Sequence, residues 1–594
     1  MVAGREPIQI VEIHQDFCTR TYGSAPCVAT LTGGTPTGVR KCFNTRQTCQ
    51  DPTNYVAGDL VLKFVKPVTS APKDDLYIPS LVSVSTAPTK LNVGGGSRSK
   101  GPLGNRASAT VMFMDHPFPD RAVDKYLSGR LDGTAQTDES GYDPFDRGTF
   151  WTKWITRNPF YTNRRLVIRE GYTDQAPAAM NTREYLIDQI TGPNSSGSVK
   201  IVAKDPLRLA EDERAQAPVL SPGELNADIT AVATTLTVAG AVLADYPATG
   251  TLRADDELMT YTGRTILDGI ITFTGVTRAT DNTTADTHDL ETQVQSCLRY
   301  TDADVWDIAE ELLTDYAGIP ASFLDTTGWA AEGALWLHQF SVSAVVAHPT
   351  GVSELLSELM EQALFYMWWD ERTQKVLLRA VRPDTETPVS VTDRDHIIED
   401  SMSVKEEPEQ RITQVWVYWA IKSPVHHVDD PDSFRRIRIR ADLEAETAVK
   451  HGDSRIRKVF ARWIQTRGQA INLTARILGR YGVSPKIVQL ELDAKDRDLW
   501  TADLINVTTR LITDDTGQAL ETLFQVISAE EHVPGHRVKY TLQKSEFQGI
   551  NFAFWMSNTA PIFTLATDQE KKQGLWWSDA SGEMSDGTAG YNWQ

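Results

Sequence analysis

Between residues 55 and 215 the chain breaks into short runs rich in β-branched and aromatic side chains: GDLVLKF, YIPSLVSVS, RASATVMFMDH, TFWTKWI, RRLVIREGY, EYLIDQITG and VKIVAKD. Most are bounded by Gly, Pro, Asn or Asp, the pattern of strands separated by turns. Short strands in series predict a sandwich or a barrel. The stretches KLNVGGGSRSKGPLGNR and LDGTAQTDESGYDPFDRG interrupt them and read as long exposed loops. The glycines of NVGGGSRSKG lack the Gly-Lys-Ser/Thr ending and following helix of a phosphate loop.

Residues 221–296 read as a small inserted β-module, with ATTLTVAG, GTLRADDELMTYTGR and GIITFTGVTR as strands and Ser221-Pro222-Gly223 as a hinge. Its adjacent acids Asp255, Asp256 and Glu257 would face alternate sides of a strand, so a solvated turn is expected there, with His288 and Asp289 following later. Helix enters next. Thr301 and Asp304 have the spacing of a capping box, Val305, Ile308, Leu312 and Tyr316 recur on one face, and Gly318 and Pro320 end the segment. A second helix from about Thr350 should bury Leu355, Leu356, Leu359 and Ala363 and lead into a hairpin in ALFYMWWDERTQKVLLRAV, where Trp368 and Trp369 pack.

From about 395 onward strands return in RITQVWVYWAIK, FRRIRIRAD, RIRKVFARWI, KIVQLELDAK, LINVTTRLITD, TLFQVISAEEH and RVKYTLQKS. One amphipathic helix, QAINLTARILGRYG, interrupts them, with Ile471, Leu473, Ala475 and Leu478 as candidate buried positions. The fold class expected is mainly β and multidomain, α+β overall. Beyond residue 556 the chain is rich in Gly, Ser and Asp yet keeps Trp576, Trp577, Tyr591 and Trp593, as a tail draped over a partner would.

The chain of 594 residues is long enough for several domains, and 41% hydrophobic content supports large cores. No segment approaches about 18 uninterrupted apolar residues, so stable membrane insertion is not expected. Lys and Arg number 59 against 79 Asp and Glu, a formal charge of −20 that works against duplex binding. The local run Arg435, Arg436, Arg438 and Arg440 reads first as a strand with a solvated face.

Four of the five cysteines, Cys18, Cys27, Cys42 and Cys49, stand in the first fifty residues, in DFCTRTYGSAPC and KCFNTRQTC. Three chemistries compete for them. Disulfides suit small cysteine-dense secreted scaffolds, and MVAGREPIQIVEIHQ has no basic start with an apolar core and cleavage site. Structural zinc usually shows a tighter C-x2-4-C knuckle. An iron-sulfur cluster places thiolates on separate iron corners, so wider spacing is natural. Arg20, Arg40, Lys41 and Arg46 could offset its charge, and Phe17, Tyr22 and Phe43 could exclude water. Cys297 reads as a small buried residue.

A nucleophile elbow, an HExxH, a Walker loop and a dinucleotide fingerprint are all absent in convincing form. His426, His427, Asp429 and Asp430 in SPVHHVDDPDS are the best remaining constellation, equally explained as a polar loop. No catalytic residue is assigned.

The phrases DFCTRTYGSAPC, KCFNTRQTCQDPTNY, TFWTKWITRNPFYTNRRLVIREGY, EYLIDQITGPNSSGSVKIVAKDPLRLA and PTGVSELLSELMEQALFYMWWDERTQKVLLRAV resemble the baseplate hub, or tail tip, proteins of long non-contractile phage tails and gene transfer agents. The resemblance covers nearly the whole chain. It implies that Cys18, Cys27, Cys42 and Cys49 hold a [4Fe-4S] cluster, with zinc as the alternative. It implies two tail-tube-like β-barrel domains, placing a four-cysteine segment at 1–60, a first barrel at 61–220, the β-module at 221–296, an α+β helix-hairpin domain at 297–394, a second barrel at 395–555 and a tail at 556–594. By the same likeness the chain is a homotrimer at the virion tail tip of a siphophage, assembled in the host cytoplasm. Its implied partners are a distal tail protein, a tape-measure protein and a central tail fibre protein. There it adapts the six-fold tube to a three-fold fibre, and genomic DNA passes through without specific binding at ejection. The expectation is a structural virion protein and not an enzyme. The alternative is a tail-associated glycan or peptidoglycan hydrolase whose β-module binds carbohydrate.

Overall fold

The segment carrying the first cysteine is itself a sheet strand. In the computed structural model, which describes residues 6–30, 42–67, 75–92, 103–132, 142–338, 340–382, 388–493, 499–533 and 537–545 with the pieces 554–555, 565 and 574–575, β1 runs Pro7–Cys18. It is followed by β2 (Ala57–Phe64), β3 (Tyr77–Ile78), β4 (Leu81–Ala87), β5 (Ser108–Met114), β6 (Arg165–Tyr172), β7 (Asn181–Thr191) and β8 (Ser198–Lys204). These eight form one sheet in the order β3-β2-β1-β6-β7-β8-β5-β4. Ile8, Ile10, Val11 and Ile13 of β1 are buried, so the N-terminal segment is part of a core.

The sheet curls but does not close. Its two edge strands, β3 and β4, are joined through Pro79-Ser80, and Leu81 N donates to Val65 O at 3.1 Å, yet no ladder pairs β3 with β4. The barrel implied by the resemblance is therefore an open sheet. A short helix α1 (Leu127–Leu131) lies beside the cysteine loops, and α2 (Phe150–Arg157) fills the curl. The run TFWTKWI, expected as a strand, is α2. Its aromatic content favours a strand, but Thr149 and Thr152 form a capping box, and Phe150, Trp151 and Trp154 fall on one buried helical face.

β9 (Gln216–Ala217) leads into the module of β10 (Glu224–Leu225), β11 (Thr235–Ala239), β12 (Gly250–Ala254), β13 (Glu257–Tyr261), β14 (Gly263–Leu267) and β15 (Ile270–Thr274). β16 (Val294–Ala303) pairs both with β12 and with β17 (Val342–Val346), so it runs from the module into the next unit. The two sheets, β10-β11-β15-β14 and β13-β12-β16-β17, share a core that includes Leu236, Leu252, Met259 and Phe273.

The helical unit contains α3 (Val305–Glu311), continued by a π turn at Leu312–Tyr316, then α4 (Thr326–Trp336) and α5 (Val352–Ala363). The expected box at Thr301 does not form, because residues up to Ala303 belong to β16; Asp304 is the N-cap residue and makes no side-chain cap bond. α4 was not foreseen from its sequence. β18 (Thr350–Gly351) pairs with β9, and the hairpin β19 (Phe365–Asp370) and β20 (Lys375–Ala380) follows α5, with Trp368 and Trp369 both buried.

Gly333 decides how closely α4 approaches α3. A Cβ at Gly333 would fall within the contact envelope of the Trp306 ring. In an open helix interior Gly→Ala gains about 1 kcal/mol, whereas overpacking costs about 1–3 kcal/mol. Gly333→Ala is expected to lower stability by up to about 2 kcal/mol net, read as a lower denaturation midpoint at unchanged m-value.

The C-terminal part has two sheets. β21 (Val389–Thr392), β22 (Ser403–Glu406), β26 (Lys486–Asp493), β27 (Leu504–Thr508), β28 (Thr522–Val533) and β29 (Arg537–Lys544) form one, in the order β21-β27-β28-β29-β26-β22. β23 (Gln414–Ile421), β24 (Phe434–Ala441) and β25 (Ile456–Ala461) form the other, covered on one face by α6 (Arg467–Tyr481). Neither closes as a barrel. The buried face of α6 is Ala470, Leu473, Thr474, Ile477 and Tyr481, which differs from the expected set at all but Leu473. Those five follow the i, i+3, i+4, i+7 rule, and Ile471, Ala475 and Leu478 do not lie on that stripe. β30 (Phe554–Trp555) and β31 (Gly574–Leu575) form a separate short parallel pair. Most of the predicted tail, with Trp576, Trp577, Tyr591 and Trp593, lies outside the described residues.

The two large β regions meet through the helical unit and directly. Leu91 N donates to Ile527 O at 2.8 Å, Ser528 Oγ to Thr89 O at 2.9 Å, and Tyr185 Oη to Glu371 at 2.8 Å. The chain is mainly β and multidomain.

Candidate metal centre

Cys18 ends β1, so its position is fixed by the sheet, while Cys27, Cys42 and Cys49 come from the loops between β1 and β2. Asn44 ties two of these segments together. Held at φ 58° and buried, it accepts from Cys18 N through its carbonyl at 2.7 Å and donates Nδ2 to Cys18 O at 3.0 Å. Its own N–H points at Cys42 Sγ, 3.3 Å away. Asp51 ties the other two: it accepts from Val28 N at 2.9 Å and from Asn54 Nδ2, which holds the segment after Cys27 against the segment after Cys49. Those contacts keep the Asp51 carboxyl below its ordinary range.

The four thiols lie within electrostatic reach of one another. Burial pushes the Cys42 thiol up to about 11; the Asn44 N–H opposes that, and the charges of Cys49, Cys18 and Cys27 add to it. Burial raises Cys49 as well, opposed by the Asp51 N–H and reinforced by Cys18 and Cys27. Tyr22 and Tyr126 pack against Cys27 and Cys42, with Tyr22 N donating to Tyr126 Oη at 2.8 Å. All five cysteines are free thiols.

The surroundings are rich in cations and donors. Arg130 of α1 is fully buried, pairs with buried Asp124 at 2.6 Å and donates Nη2 to Cys42 O. Phe43 lies between two guanidinium groups, Arg130 at 4.1 Å and Arg157 at 3.9 Å. Among the described residues, Arg20 Nε, Gln50 Nε2, Tyr55 Oη and Arg130 Nη1 are buried donors without a hydrogen-bond partner. Tyr55 is near enough to Cys18 and Cys49 for both to raise its phenol, after burial, its largest cause. A buried donor that lacks an acceptor costs about 1–3 kcal/mol, so four around one set of thiols suit an anionic group there.

Among the described residues, no group of three or more His, Cys, Asp or Glu side chains is gathered so as to hold a metal ion. A tetrahedral zinc site needs its four sulfurs about 2.3 Å from one point. A polynuclear cluster is wider, since each thiolate binds its own iron.

Of the residues expected to serve this site, Tyr22 is buried, Phe17 and Phe43 are half-buried, and Arg46 stacks over Tyr55 at 5.1 Å. Arg40 and Lys41 lie outside the described residues. Asn44, Tyr126, Asp124 and Arg130 were missed. Asn44 had a faint signal, two residues after Cys42; the others come from about a hundred residues away and had none.

The other constellations resolve differently. His427 stacks at 6.4 Å on His348, which accepts from Arg253 through Nδ1 and donates Nε2 to Val425 O at 3.1 Å, while Asp430 caps the turn at Asp432. Cys297 is buried, its thiol pushed up to about 12 by burial. Asp255 and Asp256 form the expected solvated turn, but Glu257 departs from it: with Asp255 at φ 47° the turn brings Asp255 and buried Glu257 onto opposite nitrogens of His288, at 2.8 and 2.9 Å.

No family model matches the chain, and no curated protein is similar to it. Solved structures that superpose on it include a tail protein from Neisseria meningitidis, 9% identical, covering 78% of this chain and 92% of the other at a TM-score of 0.34. A prophage MuSo2 tail protein from Shewanella oneidensis is 9% identical and covers 77% and 93% at a TM-score of 0.34. A chain of a gene transfer agent virion is 12% identical and covers 57% and 92% at a TM-score of 0.29. At these scores no residue-by-residue correspondence follows.

Proposed function

We propose that the chain is a structural protein of a phage tail, a baseplate hub whose Cys18, Cys27, Cys42 and Cys49 hold a [4Fe-4S] cluster. The reading is supported by four thiols close enough to influence one another's ionisation, beside buried unpaired donors, in a chain whose phrases resemble tail hubs along nearly its whole length. When bound, the cluster would cross-link the end of β1 to three loop segments and supply negative charge to the buried donors. Asn44 and Asp51 hold the thiols in place through backbone N–H groups, Arg130 fixes the Cys42 carbonyl, and Tyr22 and Tyr126 exclude water. Its role in this reading is to stabilise the fold, with no turnover.

In the same reading three copies close the distal end of the tail tube. A distal tail protein lies above, the tape-measure protein inside and the central fibre below, and DNA leaves through the opened lumen.

Anaerobically purified protein is expected to be brown and to contain iron and acid-labile sulfide in about equal amounts. Cys42→Ser should lose both and fail to assemble. Colourless protein with stoichiometric zinc would overturn the cluster, and a lytic band on cell-wall zymography would replace the structural reading by a hydrolase. Electron microscopy of tail ends should show a three-fold ring.

A further inference from the structure

Where the hairpin β19–β20, the end of α6 and the C-terminal six-stranded sheet come together, the described residues leave a pocket rich in arginine. Its walls include Tyr366 of β19, Arg379 of β20, Arg382 just after it, Arg480 in the last turn of α6 and Gln525 of β28. No Asp or Glu is among the described residues that line it, in a chain where acids outnumber Lys and Arg by 79 to 59. With its open mouth it encloses about 270 Å³. That is below the roughly 300–1,000 Å³ of sites for organic ligands, so its scale is that of a small ion.

Arg480 identifies the ion. Its Nε and Nη2 are buried and make no hydrogen bond among the described residues. Those two N–H groups lie side by side on one edge of the guanidinium plane, the edge that matches two oxygens of an oxyanion. Other arginines of this chain use the same edge in that way. Arg278 holds Glu257 through Nε at 2.8 Å and Nη2 at 2.6 Å, and Arg382 holds Glu332 at 2.7 and 3.2 Å. No carboxylate among the described residues takes this edge of Arg480. The neighbouring groups point to the same occupant. Gln525 Nε2 donates to Tyr366 Oη at 2.6 Å, which leaves the Tyr366 hydroxyl hydrogen to be donated to an ion beside Arg480. Tyr366 is buried; burial raises its phenol and Arg379, Arg480 and Arg382 oppose that, so all three guanidinium groups lie within electrostatic reach of one hydroxyl. Arg379 is fixed by its Nη1 bond to Ala502 O at 2.8 Å and Arg382 by Glu332. A water here would accept from N–H groups but bring no charge to Arg480, whereas an oxyanion does both.

We propose that this pocket is an oxyanion site, in which Arg480 grips the ion through Nε–H and Nη2–H, the Tyr366 hydroxyl donates to it, and Arg379 and Arg382 add positive charge. A phosphate or a carboxylate group has the required chemistry, since both present paired oxygens to a guanidinium edge. Bound there, the ion ties the hairpin β19–β20 to the end of α6. The inference goes beyond the tail-hub reading and does not rest on it.

Calorimetric titration of the full chain with inorganic phosphate at fixed ionic strength tests it. Wild type should bind one phosphate per chain, and Arg480→Gln should weaken binding about 100-fold, the loss expected for two charge-assisted hydrogen bonds. Tyr366→Phe keeps the ring and should weaken binding about 10-fold. Arg467→Gln, exposed at the opposite end of α6, should bind as wild type does. In chloride alone the Arg480→Gln protein should melt no lower than wild type, because the change removes buried N–H groups that have no acceptor. Phosphate also stabilises folded chains in general, so the site is read from the part of its effect on the melting temperature that Arg480→Gln removes. Titration with acetate identifies the group: binding of phosphate alone assigns a phosphate, and binding of acetate with the same dependence on Arg480 assigns a carboxylate. Wild type that binds neither ion, or Arg480→Gln and Arg467→Gln proteins that bind alike, overturns the proposal. Neither readout involves iron or assembly, so its failure would leave the tail-hub reading standing.

Discussion

Replacing Trp151 with alanine is expected to destabilise the first β region by about 3–5 kcal/mol, the usual range for deleting a fully buried aromatic. Trp151 has no exposed surface and sits where α2 enters the curled sheet. Its indole stacks on Phe64 at 5.4 Å, meets Phe113 at 4.8 Å, and is approached edge-on by Phe150 and Trp154 at 5.2 and 5.7 Å. Its Nε1 donates to Ser80 Oγ at 3.2 Å, beside the corner where the sheet edges meet. Alanine would therefore leave a large cavity and remove the indole's hydrogen bond, with Ser80 Oγ keeping only its bond to Met114 O at 2.8 Å. Phenylalanine keeps ring packing and should cost about 1–2 kcal/mol. Denaturant melts followed by tryptophan fluorescence measure both, and an alanine variant within 1 kcal/mol of wild type would show that the sheet does not depend on this helix. The same core carries β1 with Cys18, so under the proposed cluster reading the alanine variant should also lose iron at lower denaturant than wild type.

That helix shows where local reading of the sequence fails. Phe, Trp and Ile favour strands when taken one at a time, and TFWTKWI contains all three. The decisive signal was Thr149 and Thr152 capping the first turn, with the aromatic spacing that places Phe150, Trp151 and Trp154 together. β1 was overlooked for a related reason: PIQIVEIHQDFC was taken with the cysteines it leads into, although its apolar residues form a strand paired on both sides. Most other strands were legible because turn residues bound them closely. Curvature was not legible, since whether eight strands close depends on β3 and β4 meeting at a corner, which no single run encodes. At the cysteine site the thiols were visible as a cluster in the sequence, but Arg130 and Tyr126 reach it only because the loop carrying α1 folds back across Phe43 and Tyr22.

Substituting Arg278 with methionine should destabilise the inserted module by about 3–5 kcal/mol, because it strips the cation from a buried carboxylate. Glu257 is 1% exposed, and its two oxygens accept from Arg278 Nε at 2.8 Å and Nη2 at 2.6 Å, Ala279 N at 3.0 Å, Asp286 N at 3.1 Å and His288 Nε2 at 2.9 Å. Burial alone would raise this carboxyl; the Arg278 and His288 contacts and the two N–H donors outweigh it and bring it from 4.5 down to about 2. A carboxyl depressed on folding contributes stability that is fully present above its unfolded value of 4.5 and is lost as pH falls through about 2. Hydrogen exchange of β12, β13 and β16, read by mass spectrometry, should show their opening free energy falling across that window in wild type. Glu257→Gln cannot release a proton there, so its exchange should lack this component. Combining Glu257→Gln with Arg278→Met should cost less than the sum of the two, since each partner's penalty is largely the unpaired charge left behind in the other. Additive losses would mean that Arg278 acts through its bonds to Thr230 O and Asp286 O, and that the carboxylate is held by backbone N–H groups and His288 alone.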